Sequence, residues 1–215
     1  MLFSLVKKDF ILGKNYLLIL LVLAIVGPIY MTAAIKFSSG GFVNFFPTAL
    51  LIEFMLMGTV SMAEDKYKGA TLLCTTPYTR NSLVKARYIF ILIIFFCNYI
   101  IYTITAFVAP IGIPKLNVFT FGISLLFLIV FFGIGMTIEY KFGYEKTKYV
   151  SMCAIMLIFF VVPSIAKWLI SNNNTFKISI PFSPIIQNLF PYVLALVIGV
   201  ISMNLSIRIY SKKNL

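Results

Sequence analysis

Long apolar runs, nearly free of charge, alternate with short basic stretches along the whole chain. The runs cover residues 16–35, 41–63, 89–108, 118–138, 150–166 and 189–209. Each is about 17 to 23 residues long, the length an α-helix needs to cross a hydrocarbon core of about 30 Å. The pattern therefore predicts six transmembrane helices. Lys7 and Lys8 before the first run and Thr32-Ala33-Ala34 at its end imitate a signal peptide, but the run is long and further spans follow it, which argues for its retention.

The segments between the runs carry their own patterns. Residues 1–15 set Phe3, Val6 and Phe10 at helical spacing beside Lys7, Lys8 and Lys14, which predicts an amphipathic interface helix in the headgroup region; a solvated basic leader is the competing reading. Residues 64–88 form a connection longer than bundles usually need. It opens with Glu64, Asp65, Lys66 and Tyr67, carries an apolar Leu72-Leu73 pair and stops at Pro77, which reads as a short helix over 64–76. Thr79 then stands where it can cap a second helical start leading into the third span. Pro110 and Pro114 mark a short turn, and residues 167–188, with Trp168, Asn172-Asn173-Asn174, Pro181 and Pro184, form a longer segment read as a re-entrant element or a loop.

Composition agrees with lipid as the solvent. Of 215 residues, 61% are hydrophobic and 11% charged, too few polar groups to cover a water-soluble globule. The length fits one membrane domain, residues 1–215, with no room for a separate soluble one. The net charge of +12 does not point to nucleic acid, because the basic residues sit in clusters between the apolar runs, as at a cytoplasmic membrane face. Fourteen lie on one side of the predicted topology, against Lys36, Lys115, Lys167 and Lys177 on the other. By the positive-inside rule both termini are cytoplasmic.

Little of the sequence can carry chemistry. Histidine is absent, which removes the commonest general base and metal ligand. Cys97 and Cys153 fall inside apolar runs and Cys74 in the basic connection; they have no metal-ligand or disulfide spacing and read as inert core thiols. Asn173-Asn174-Thr175 matches a glycosylation acceptor with nothing to support it. No internal repeat is visible, and Gly133-Ile134-Gly135 and the Ser202 and Ser206 pair read as packing positions. Tyr16, Tyr88, Tyr140, Tyr149, Trp168 and Tyr210 fall near predicted membrane borders and read as interfacial anchors. Glu53 stands near the middle of the second span, where an ionised carboxylate costs at least a few kcal/mol unless it is paired, protonated or facing water. It is either a pathway residue or a structural glutamate satisfied by Asn98, Tyr99 or Tyr102. No phosphate loop occurs, so any ATP is hydrolysed by another chain.

The leader at 2–14, the topology, the stretch from Glu64-Asp65-Lys66 through Leu72-Leu73-Cys74-Thr75-Thr76-Pro77-Tyr78-Thr79-Arg80, and the basic Lys85-Ala86-Arg87-Tyr88 entry to the third span together resemble the ABC-2 type permease family, over the whole chain. The resemblance is to its small six-span bacterial members, and it implies an all-α integral membrane protein of the plasma membrane. Residues 64–76 would be similar to the coupling helix that seats in a partner ATPase, through Glu64, Asp65, Lys66, Tyr67, Leu72 and Leu73. Residues near 176–190 would resemble an outer gate. The implied partners are cytoplasmic ABC ATPase subunits, which hold ATP and magnesium, a second permease subunit, identical or homologous, and lipid. This chain would hold no catalytic residue, cofactor or metal. The implied function is export of amphipathic or toxic peptides or other hydrophobic compounds. The alternative is a self-contained ion-coupled carrier or channel using Glu53.

Overall fold

A computed structural model describes residues 2–35, 41–67, 79–109, 112–171 and 184–212. Among them six helices follow one another: α1 (Leu2–Ile35), α2 (Phe42–Lys66), α3 (Arg80–Val108), α4 (Val118–Phe142), α5 (Tyr144–Ser171) and α6 (Pro184–Ser211). All but α5 are long and apolar enough, over their described residues, to cross a membrane. The six spans expected from the sequence thus stand at five by this measure.

The helix bounds depart from the expected ones in three places. The leader at 1–15 is the first part of α1, a single helix of 34 residues. Of the predicted stripe Val6 is buried and Phe10 packs edge-on against Phe90 with ring centroids 4.9 Å apart, while Phe3 is 84% exposed; Leu5 and Asp9 are buried beside Val6. Glu64, Asp65 and Lys66 close α2 instead of opening a helix of their own, and the Tyr67 N–H donates to the Ala63 carbonyl at 3.1 Å. The rest of the expected coupling helix, with Leu72 and Leu73, lies outside the described residues, as does 172–183 of the expected gate. The basic stretch between the fourth and fifth runs is helical on both sides: α4 and α5 are separated by Gly143 alone, at φ +89° and ψ 162°, a region essentially reserved for glycine that costs other residues about 1–3 kcal/mol. At the start of α3 the Thr79 hydroxyl accepts from the Ser82 N–H at 3.3 Å, the cap its sequence position predicts.

α2 is the centre of the bundle, packed against α1, α3, α4 and α5. Over its most apolar stretch 67% of residues are buried, against 17% for α6. Close helix approach explains part of this. A Cβ on Gly27 of α1 would lie 2.7 Å from Thr48 of α2, and one on Gly133 of α4 would lie 2.6 Å from the Ser202 hydroxyl of α6. Gly133 and the Ser202 and Ser206 pair are thus packing positions, as their spacing suggests. The Tyr88 hydroxyl adds hydrogen bonds to both serines, at 2.8 and 3.0 Å, so this tyrosine ties α3 to α6. Much of the phenylalanine is also internal: Phe45 packs edge-on against Phe95 and Tyr102, with ring centroids 5.5 and 5.2 Å apart. Cys97 and Cys153, in contrast, are exposed, so they face outward from the bundle and are not core thiols.

The helices alternate in direction. The starts of α1, α3 and α5 meet the ends of α2, α4 and α6, and this end of the bundle carries Lys7, Lys8, Lys66, Lys85, Arg87, Lys141, Lys146, Lys148 and Arg208. At the opposite end the Tyr102 hydroxyl donates to the Pro114 carbonyl at 2.7 Å and that of Tyr192 to the Val118 carbonyl at 2.7 Å.

Candidate functional site

Six acidic residues serve the whole chain, and three of them converge at the basic end. Arg87, two turns into α3, donates from Nη2 to Glu64 Oε2 at 2.5 Å and from Nη1 to Glu139 Oε1 at 3.1 Å. The other Glu64 oxygen accepts from Lys8 Nζ at 2.6 Å. Lys8 Nζ also stands 3.1 Å from Asp9 Oδ1, an ion pair without hydrogen-bond alignment. Four helices, α1 to α4, are tied through two cations and three carboxylates. The Arg87 guanidinium also lies over the Tyr140 ring at 5.7 Å, and Tyr140 packs on Tyr210 of α6 with centroids 4.9 Å apart, which brings in a fifth helix.

The positions of the acids explain why the cations are needed. Glu64 and Glu139 both sit in the last turn of their helices, where the unpaired carbonyls make the end negative and disfavour a carboxylate. Arg87 offsets both at once, because its planar fork presents separate N–H groups to separate acceptors. The Arg87 side chain is only 7% exposed, so removing it leaves two carboxylates poorly solvated, a change that costs about 3–5 kcal/mol. The residual gap among these side chains is about 20 Å³, room for roughly one water. The arrangement is therefore a clamp and not a substrate site.

The expected coupling residues divide. Glu64 is turned into the clamp, whereas Asp65, Lys66 and Tyr67 are exposed, with the Lys66 ammonium 5.5 Å from the Tyr67 ring centroid. Glu53 is far from them: it is fully buried, and neither carboxyl oxygen has a hydrogen-bond partner among the described residues. The partners proposed for it do not serve. Tyr102 is engaged with the Pro114 carbonyl, and the Asn98 amide nitrogen is itself without a partner. Among the described residues no group of three or more His, Cys, Asp or Glu is placed to hold a metal ion.

Lys8, Arg87 and Tyr140 were visible in the sequence only as orientation charges or a border aromatic, and Asp9 and Glu139 were not singled out. The available signal was scarcity. In a chain with so few acids, those at the ends of apolar runs on the basic side are poised for ion pairing.

No curated protein and no solved structure matches the chain. A family model described as ABC-2 family transporter protein matches residues 4–211, which takes in all six helices save the first two residues of α1. The chain thus belongs to the ABC-2 family of transporter proteins, an integral membrane family that supplies the permease component of ABC transporters.

Proposed function

We propose that this chain is the permease subunit of an ATP-driven exporter in the bacterial plasma membrane, working as one of two identical or homologous subunits with cytoplasmic ABC ATPases. All six helices span, both termini are cytoplasmic, and the ATPase docks on residues 64–76. The cargo is an amphipathic or toxic peptide or another hydrophobic compound. The observation that carries this reading is the Glu64 to Arg87 pair. It joins the end of α2 to the start of α3, so the two helices that flank the segment are clamped together. A push on that segment is delivered to Glu64 and Arg87, from Glu64 to Lys8 on α1 and from Arg87 to Glu139 on α4. Asp65, Lys66 and Tyr67 face outward beside the clamp, where a soluble partner reaches them.

Affinity purification of the tagged chain from its native membrane, followed by an ATPase assay, tests this. Wild type is expected to bring down an ATPase that the triple substitution of Asp65, Lys66 and Tyr67 to alanine releases without lowering the melting temperature. A chain that purifies alone with no ATP hydrolysis overturns the reading. It would then favour the carrier alternative, which rests on the unpartnered Glu53 carboxyl in the central helix. A carrier predicts that Glu53→Gln abolishes ion coupling, whereas the exporter tolerates it.

A further inference from the structure

Between α2, α4 and α5 an apolar cleft of about 500 Å³ runs along the bundle, walled by Phe42, Phe46, Phe127, Ile134, Ala154 and their apolar neighbours. It meets a small chamber of about 40 Å³ through the shared walls Phe131, Gly135 and Ser151. The chamber adds polar side chains that the cleft lacks: Ser61, Glu139, Tyr144, Thr147 and Lys148 line it beside Phe54, Met57, Phe132 and Met136. Two observations indicate that this space awaits a molecule. The Ser61 hydroxyl is 3% exposed yet has no hydrogen-bond partner among the described residues, an omission that costs about 1–3 kcal/mol unless something fills it. At Gly135, where cleft and chamber join, a Cβ would meet nothing within 4 Å.

The dimensions and polarity select the occupant. From Ile138 to Phe127, the length of α4 along the cleft, the helix rises about 16 Å, close to half of a hydrocarbon core of about 30 Å and so the depth of one leaflet. The chamber, with its few polar side chains, lies at the basic end, where headgroups of that leaflet sit. A peptide strand laid in the cleft would bring backbone N–H and C=O groups that apolar walls cannot satisfy; an alkyl chain brings none. Charge sets the headgroup. Glu139 is engaged by Arg87 at 3.1 Å, whereas Lys148, exposed and the one lysine that lines the chamber, with Glu145 one turn before it, offers positive charge to a phosphate. We infer that the cleft binds one acyl chain of an anionic phospholipid, whose headgroup is received by Lys148, Tyr144 and Ser61.

Native mass spectrometry of the purified full chain tests this, with release from micelles containing equal amounts of phosphatidylglycerol and phosphatidylcholine of the same acyl composition. Wild type is expected to retain one phosphatidylglycerol at about tenfold preference. Lys148→Gln keeps one lipid but brings the preference near unity. Gly135→Phe, which fills the junction, releases the lipid, and Ala154→Phe on the facing wall repeats the result if the first variant does not fold. Wild type emerging without lipid, retention equal for the two lipids, or retention undiminished in the folded filled variant overturns the assignment. The readout involves neither ATP nor transport, so its failure and that of the exporter reading are distinguishable.

Discussion

Glu53 and Glu64 stand eleven residues apart on α2, about 16 Å along its axis, and the bundle treats them in opposite ways. Glu64 gives each carboxyl oxygen a cation and ties three helices together. Glu53 is more deeply buried and has no partner for either oxygen among the described residues. A buried carboxyl contributes to stability only when its donors are supplied; otherwise it is a cost that the surrounding packing offsets. The same residue type is thus a fastener at one end of α2 and a burden at its middle.

Substitutions that exchange charge for shape break this contrast. Arg87→Met is expected to cost the most, about 3–5 kcal/mol, because the partly buried Glu64 and Glu139 then lose their shared, buried cation. The melting temperature in detergent should fall steeply, and a fall no greater than that of Lys8→Gln would show that the clamp does not hold the bundle. Glu64→Gln keeps the shape and loses the charge. It is expected to cost about 1.5–3 kcal/mol, the range for hydrogen bonds to charged groups, measured as the shift in denaturation midpoint. Glu53→Met should move the other way and stabilise by about 1 kcal/mol, since an unpartnered buried carboxyl is replaced by an apolar side chain of similar size. Loss of stability in that variant would reveal a partner for Glu53. Gly143→Ala, which forces a positive φ on a residue with a Cβ, should cost at least about 1 kcal/mol. Lys8→Gln should have the smallest effect, under about 1 kcal/mol, because its side chain is 30% exposed and the solvent screens the pairs it makes.

The helices were legible in the sequence because lipid imposes long apolar runs, and Glu53 was legible because charge inside such a run is conspicuous. The clamp was not. Lys8, Glu64, Arg87 and Glu139 come from four helices, and no periodicity within one helix pairs residues of another. The basic stretch around Lys141, Lys146 and Lys148 fell outside the predicted spans because charge ends an apolar run. It is nevertheless helical on both sides of Gly143, since long lysine side chains carry their ammonium groups to water while the backbone stays hydrogen-bonded. The leader was legible in part: Val6 and Phe10 of its stripe pack and Phe3 does not, and the buried Asp9 beside Val6 was not singled out.

Glu139 belongs to two neighbourhoods, as a wall of the chamber beside Tyr144 and as an acceptor for Arg87, and one glycine separates its helix from the one that carries Tyr144. Occupancy of the chamber and closure of the clamp are therefore linked quantities. If a molecule in the chamber strengthens the hold of Glu139 on Arg87 by some factor, a closed clamp raises the affinity for that molecule by the same factor. The composition of the surrounding bilayer then acts as an effector of the clamp, and the clamp in turn selects which lipid stays bound.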